Sequence, residues 1–221
     1  MDAKKVAAEK AVAEVESGMT IGLGTGSTAF WAIQKIGELV KQGLQVKAVA
    51  TSVQTENLAK ECGISMITFA ELSAINLAID GADEVDANKN LIKGGGGALL
   101  REKIIAYNSQ RFIVIVDSSK VVTDLGTFLL PVEIVPFGME LTLKRLYALN
   151  GNPKLRAKEG KNFVTDNGNL IADCSFFPIK DPAALNTTLH EIPGVVETGL
   201  FLSKHVHKVY VGYENGEVRL L

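Results

Sequence analysis

The sequence predicts an α/β fold: a Rossmann-like parallel sheet with helices on both faces, plus a smaller ferredoxin-like α+β domain. Three observations carry this expectation. Helix-like and strand-like segments alternate through residues 1–128, the order changes to β-α-β-β-α-β near Pro131, and residues 206–221 read as two further strands. Residues 2–16 are rich in Ala, Glu and Lys and end at Gly18, a helix followed by its stop signal. The apolar run 19–23 is a strand that enters the glycine-rich stretch GLGTGST at 22–28. Residues 27–41 favour helix again, with Gly43 as a C-terminal cap. A strand at 46–50, a helix at 53–61, a strand at 75–79, a helix after the glycines at 94–97 and a strand at 112–116 continue the series. Such alternation implies a parallel sheet covered on both faces.

Beyond Pro131, residues 132–135 are strand-like and 139–149 form an amphipathic helix stopped by Gly151. Segments 162–165 and 170–176 flank Asp166-Asn167-Gly168-Asn169, whose Asn-Gly pair predicts a β-hairpin. Asp181-Pro182 supplies an N-cap and a first-turn proline for a short helix. Residues 195–202 then close a split βαβ arrangement. The last two strands, joined at Asn215-Gly216, are expected to return to the first domain. The expected domains are therefore 1–128 with 204–221, and 129–203.

Composition removes several classes of function. With 47% of residues apolar, a core forms without metals or disulfides. A net charge of −2, with no block of Lys or Arg, argues against a nucleic-acid partner. Cys62 and Cys174 lie far apart, as buried thiols of a reducing compartment do. Charges from Asp2 onward leave no apolar region for a signal peptide. No apolar run approaches the roughly 20 residues of a membrane span. The expectation is a cytoplasmic protein with neither membrane nor nucleic acid as partner.

Chemistry is expected at four stretches. GLGTGST sits between a strand and a helix, where backbone N–H groups and the helix dipole favour an anion. Gly26 lets a phosphate approach the main chain, and Thr25, Ser27 and Thr28 add hydroxyl donors; the competing reading is a plain turn with Ser27 as N-cap. Ser27 replaces the last glycine of a dinucleotide fingerprint, and the second strand ends in Val49-Ala50-Thr51 without a ribose-binding acid. A compact phosphate ester fits better than a nucleotide. In DGADEVDANKN at 80–90, Asp80 follows an apolar strand and so lies at its carboxyl end, where open α/β sheets bind ligands. A calcium loop counted from Asp86 would need Gly and Glu where Leu91 and Gly97 stand.

KGGGGALLRE at 93–102 is the most informative stretch. Consecutive glycines cost chain entropy and pack nothing, which is understandable where backbone must pass close to a ligand. Lys93 stands before them, able to meet developing negative charge. On the helix that follows, the neighbours of Glu102 are Ala98, Leu99, Ile105 and Ala106, while Arg101 and Lys103 point to either side. A carboxylate ringed by apolar residues should have a raised pKa and suit a general base; the alternative is a structural ion pair. DSSK at 117–120 follows another apolar strand, so Lys120 can hold a phosphate or lie in solvent. His205 and His207 alternate along an expected strand and share a face, but His190 belongs to another segment, so no metal is expected.

Together, GTGST at 24–28, DGADE at 80–84, KGGGGALLREK at 93–103 and DSSK at 117–120 resemble ribose-5-phosphate isomerase type A. LPVEIVPF at 130–137, VTDNGN at 164–169 and IPGVVETGLF at 192–201 extend the resemblance over nearly the whole chain, in the family's order. One departure is Gly97, where family members often carry alanine. The resemblance implies interconversion of D-ribose 5-phosphate and D-ribulose 5-phosphate through a cis-enediolate, in the non-oxidative pentose phosphate pathway. It implies Glu102 as catalytic base, with Asp80, Asp83 and Lys93 around the sugar for ring opening and enediolate stabilisation. Which of the two aspartates opens the ring stays open. Substrate contacts are implied at Thr25, Gly26, Ser27, Thr28, Asp80, Gly81, Ala82, Asp83, Lys93, Gly94, Gly95, Gly96 and Lys120, with Lys4 a more distant cation. The family further implies a homodimer or homotetramer, no cofactor and no metal.

Three rival readings draw on the same residues. A non-catalytic sugar-phosphate effector domain shares the sheet and glycine loop, but is expected with a DNA-binding module and needs neither Lys93 nor Glu102. A coenzyme A transferase relative would use a glutamate as nucleophile and form a thioester. A nicotinamide dehydrogenase lacks its ribose-binding acid here.

Overall fold

The structure, a computed structural model, describes residues 2–221. The chain begins with α1 (Ala3–Val12), capped by the Asp2 carboxylate, which accepts from the N–H groups of Lys4 and Lys5. There follow β1 (Thr20–Leu23), α2 (Ser27–Lys41), β2 (Lys47–Ala50), α3 (Val53–Glu61), β3 (Ser65–Met66) and β4 (Leu77–Gly81). Two short strands, β5 (Glu84–Val85) and β6 (Leu91–Ile92), precede α4 (Leu99–Tyr107) and β7 (Phe112–Asp117). Next come β8 (Leu130–Ile134), α5 (Met139–Ala148), β9 (Lys154–Leu155), β10 (Ala157–Lys158), β11 (Lys161–Asn162) and β12 (Leu170–Cys174). The chain ends with α6 (Pro182–His190), β13 (Val195–Thr198), β14 (Leu200–Phe201), β15 (Lys208–Gly212) and β16 (Val218–Leu220).

Two compact units result. The first takes residues 2–82, Arg101–Val121 and Ser203–Leu221. Its seven-stranded sheet has the order β16-β15-β7-β4-β1-β2-β3, parallel throughout except for the edge pair β15–β16. Side chains alternate across a strand, and β1 shows both faces covered. Ile21 and Leu23 join the core formed with Ala7, Ala11, Ala32 and Ile33 of α1 and α2. Gly22 between them faces the other way, where Ile105 of α4 leaves no room for a side chain. From β1 the chain runs outward to β2 and β3, then crosses to β4 on the other side. The carboxyl ends of β1 and β4 therefore flank the topological switch point, where ligands bind in open α/β sheets.

The second unit comprises Asp83–Leu100 and Val122–Leu202. Its four-stranded antiparallel sheet has the order β13-β8-β12-β9, the fourth, first, third and second strands of a ferredoxin-like unit. Leu130, Val132 and Ile134 of β8 pack in one core with Leu146 of α5 and Leu189 of α6. This unit also draws in residues 83–100, which the sequence placed with the first domain: β6 pairs with both β5 and β14.

Three local expectations are corrected. The hairpin around Asn167-Gly168 shrinks to a single bridge, Val164–Leu170, and β12 pairs along its length with β8 instead. The reason is β9, which takes the other edge of β12, with Leu155 opposite Ala172 and the Arg156 N–H donating to the Ile171 carbonyl (2.8 Å). The turn itself is held by Glu133 of β8, fully buried, whose Oε1 accepts from Thr165 Oγ1 (3.0 Å), Asn167 Nδ2 (3.2 Å) and Asn169 Nδ2 (2.9 Å). Those three side chains fold over the carboxylate, and the segment before the turn finds the edge of β12 already paired. His205 and His207 do not share a strand face. His205 lies in a 3₁₀ turn (Ser203–His205) stacked on Tyr107 at 3.6 Å, and His207 Nδ1 accepts from the Phe112 N–H. Ser27 is not an N-cap: Gly26 occupies that position, and Ser27 is the first helical residue.

Glu14 ties the first unit together. Its carboxylate accepts from Arg111 Nη1 (2.8 Å), Lys208 Nζ (2.9 Å) and Tyr210 Oη (2.5 Å). Burial pushes this carboxyl up, but hydrogen bonds from Tyr210 and Lys208, with the charges of Lys208 and Arg111, hold it below the ordinary 4.5. A depressed folded-state value stabilises the fold in full above 4.5 and ceases to do so as pH falls through the lower folded value. In wild type, thermal stability should therefore fall as pH drops below 4.5. Glu14→Gln should flatten that acid limb while lowering the melting temperature at pH 7; parallel limbs in the two proteins would refute the assignment.

Candidate active site

In the first unit the site grows from the end of β1. Gly24 lies against Asp80, the fourth residue of β4, so closely that a β-carbon would fall on its carboxylate. Asp80 is buried, and its Oδ1 accepts from the N–H groups of Thr25 (3.1 Å) and Gly81 (2.7 Å). The turn is thus fastened to the neighbouring strand through one carboxylate. Gly26 has φ +107°, a conformation open mainly to glycine, and starts α2 with no side chain capping its first N–H groups.

Thr25 behaves differently from the expectation that its hydroxyl faces a ligand. Its Oγ1 lies 2.7 Å from Thr51 Oγ1, 2.9 Å from Ser52 Oγ and 3.0 Å from Thr55 Oγ1. Thr55 Oγ1 in turn donates to the Gly24 carbonyl (2.9 Å). The hydroxyl cluster braces the turn from the α3 side. Sequence reasoning missed it, although Ser52 and Thr55 carry the signal of a helix cap, with Ser52 Oγ accepting from the Thr55 N–H. Ser27 Oγ accepts from Lys4 Nζ at 3.0 Å. Thr28 lies beside Gly81, its Cβ 3.8 Å from where a Gly81 side chain would begin, and Gly81 and Ala82 carry β4 to the edge of the unit.

Glu102 occupies the first turn of α4 and is 4% exposed; Ile105 and Ala106 one turn on are buried as well. Lys103, expected at the flank, is itself buried at 5% exposure. Lys120 ends a 3₁₀ turn (Ser118–Lys120) that Asp117 caps by accepting from the Ser119 N–H and hydroxyl. Ser118, Ser119 and Asp117 line a groove of about 800 Å³ with Asp2, Lys4 and Tyr213.

In the second unit, Asp83 N–H donates to the Ile92 carbonyl (2.8 Å), and Asp83 Oδ2 accepts from the Gly95 N–H (2.8 Å). Lys93 is buried, its N–H donating to the Gly199 carbonyl (2.9 Å) and its Nζ lying 5.3 Å from the centre of the Phe201 ring. The glycine run has internal reasons beyond ligand approach. Gly94 and Gly97 have φ +97° and +84°, and a Gly97 side chain would strike the Phe163 ring. Gly95 and Gly96 are exposed. The chain passes between the units after Ala82 and again after Leu100, so the expected site residues divide into two groups: Thr25 to Thr28, Asp80, Gly81, Ala82, Glu102 and Lys120 in one, Asp83, Lys93 and Gly94 to Gly96 in the other.

Among the described residues no group of three or more His, Cys, Asp or Glu could hold a metal ion. No helix among them is long and apolar enough to cross a membrane. Cys62 and Cys174 are both buried, and burial pushes the Cys174 thiol up to about 12, far from a reactive nucleophile.

Fold and side chains together define an α/β protein with a glycine turn and a buried aspartate, Asp80, at the switch point of its parallel sheet, an architecture shared with sugar-phosphate isomerases. Residues 47–216 match ribose 5-phosphate isomerase A (phosphoriboisomerase A). A ribose-5-phosphate isomerase A of Bacillus mycoides (strain KBAB4) is 51% identical over 218 residues, 98% of either chain. One from Sphingopyxis alaskensis is 50% identical, covering 91% of this chain and 88% of its own. The solved ribose 5-phosphate isomerase A of Methanocaldococcus jannaschii superposes with a TM-score of 0.94 at 40% identity, over 100% of this chain and 98% of its own. A D-ribose-5-phosphate isomerase solved in complex with phospho-erythronic acid gives 0.95 at 41% identity, over 100% and 97%. The chain belongs to the ribose 5-phosphate isomerase A family. The non-catalytic effector-domain alternative is not favoured by these relatives.

Proposed function

We propose that the chain interconverts D-ribose 5-phosphate and D-ribulose 5-phosphate, with Glu102 as the base. The observation that carries this reading is a buried glutamate in the first turn of α4, immediately after the Lys93–Gly97 loop, in a member of an isomerase family. A structural relative is described with phospho-erythronic acid, a four-carbon phosphorylated acid; its carboxylate resembles the charge of an enediolate.

In this reading the α2 N-terminus, Ser27, Thr28, Lys4 and Lys120 hold the phosphate. An acid and a base among Asp80, Asp83 and Lys93 open the ring, protonating the ring oxygen and taking the C1 hydroxyl proton. Glu102 removes the proton on C2, the C–H electron pair forms the C1–C2 double bond, and the aldehyde oxygen becomes negative. Lys93 and backbone N–H groups meet that charge in place, without reorganisation. The O2 proton passes to O1, and Glu102 returns its proton to C1 on the same face. No cofactor and no metal enters these steps. The enzyme is proposed to work in the cytoplasm as a homodimer or homotetramer, on the small pentose phosphate alone and without nucleic acid.

A coupled assay across several aldose phosphates, run with a chelator, tests this. Ketose should form from ribose 5-phosphate at an undiminished rate with the chelator present. Absence of ketose formation would leave a binding protein; inhibition by the chelator would overturn the metal-free mechanism.

A further inference from the structure

One arginine outside every sequence motif holds the glycine loop. Arg156 stands between β9 and β10, its N–H donating to the Ile171 carbonyl (2.8 Å) and its own carbonyl accepting from the Phe163 N–H (2.8 Å). Its guanidinium forms a two-pronged pair with Asp173 of β12, Nε to Oδ2 at 3.0 Å and Nη2 to Oδ1 at 2.5 Å. The remaining arm, Nη1, donates to the carbonyls of Gly94 (2.8 Å) and Gly95 (3.0 Å). Asp173 thus fixes the direction of the fork and offsets its charge, while the third nitrogen is spent on two consecutive peptide carbonyls. Phe163 closes the arrangement, its ring 6.0 Å from the guanidinium carbon and against Gly97.

The consequence follows from peptide geometry. In a trans peptide the C=O and the N–H of one plane point opposite ways. With the Gly94 and Gly95 carbonyls turned toward Arg156, the N–H groups of Gly95 and Gly96 point away from it. The first of these reaches Asp83 Oδ2 at 2.8 Å, which bears out the direction. The second belongs to an exposed residue and donates to no group among the described residues. It is held ready beside an aspartate assigned to the sugar.

We propose that Arg156 is a positioning residue of the isomerisation: by anchoring the Gly94 and Gly95 carbonyls it aims the Gly96 N–H at the substrate oxygen that turns negative in the enediolate. This rests on the isomerase reading and adds to it a donor and the side chain that orients it. A preorganised N–H acts on charge that develops during reaction, so its loss should appear in kcat rather than in KM. Lysine cannot replace Arg156, because a single ammonium cannot grip Asp173 bidentately and two carbonyls together.

The test is steady-state kinetics of wild type, Arg156→Lys and Arg156→Ala on ribose 5-phosphate, with phospho-erythronic acid as an inhibitor and thermal unfolding measured in parallel. Both variants should lose roughly 10- to 100-fold in kcat with KM within about twofold, somewhat less than the roughly 100- to 1000-fold of an oxyanion donor removed outright, because the Gly96 N–H is misaimed rather than deleted. Inhibition by phospho-erythronic acid should weaken by a similar factor. Guanidinium ion at non-denaturing concentration should restore part of kcat to Arg156→Ala and none to wild type. Should Arg156→Ala fail to fold, Arg156→Lys retains the charge beside Asp173 and carries the comparison. Normal kcat in Arg156→Lys, or a loss confined to KM, overturns the proposal. Wild type that forms no ketose overturns the isomerase reading beneath it instead.

Discussion

Glu102→Gln should reduce kcat about 10²- to 10⁴-fold, the usual range for losing a positioned general base, while leaving the melting temperature within a few degrees. Glutamine has the length and shape of glutamate, so the packing around a residue only 4% exposed survives. An amide cannot take up the C2 proton, however. The change therefore removes chemistry without opening a cavity. KM should move little, because the phosphate contacts proposed above come from the β1–α2 turn, Lys4 and Lys120 rather than from α4. Proton exchange gives a second readout: in deuterated water wild type should exchange substrate C2 hydrogen during turnover, and Glu102→Gln should not. Near-normal turnover in the variant would remove Glu102 from the mechanism and leave its burial a structural matter.

The parts of this fold that local chemistry determines were open to sequence reading. β1, the glycine turn and α2 show an apolar run, small residues and a helical period in that order, and the structure starts α2 at Ser27 as expected. Asp181 caps α6 by accepting from the Ala184 N–H, with Pro182 following. What failed to show depends on partners far along the chain. β12 reads as half of a hairpin because Asn-Gly is a turn signal, yet the edge a hairpin partner would use is taken by β9, with Leu155 opposite Ala172. The two-residue strands β5, β6 and β14 exist only through one another, Leu91 opposite both Val85 and Phe201. The candidate site divides the same way. Asp80, Glu102 and the glycine run stand out as motifs. Arg156 is a single arginine among short strands, and only the fold brings it to Gly94 and Gly95. Thr25 looked like a ligand donor, and nothing local foretold that Thr51, Ser52 and Thr55 would take its hydroxyl.

Gly24→Ala is the structural counterpart of the Glu102 experiment, with an expected loss of about 3 kcal/mol in stability, the upper range for overpacking a filled space. At roughly 2–4 °C per kcal/mol for a chain of this size, the melting temperature should fall by about 6–12 °C. The added methyl would meet the Asp80 carboxylate and stand 2.6 Å from the Asp80 Cα, which is backbone and cannot swing aside. Nor can Gly24 retreat. Its N–H donates to the Ile79 carbonyl (3.0 Å), and its carbonyl accepts from Thr55 Oγ1 (2.9 Å). Strain relieved at either bond must move Asp80 or the turn, so activity should drop along with stability. Gly26→Ala, two residues on, separates close approach from backbone conformation. Gly26 has φ +107° and ψ −179°, a backbone region essentially confined to glycine, with nothing within 4 Å of a would-be β-carbon, so alanine there meets only a backbone penalty of about 1–3 kcal/mol. Thermal unfolding of the two variants should rank Gly24→Ala as the more damaging. A negligible loss in Gly24→Ala would mean that the turn can slide away from β4, and that the Thr25–Asp80 hydrogen bond does not fix the N-terminal end of α2.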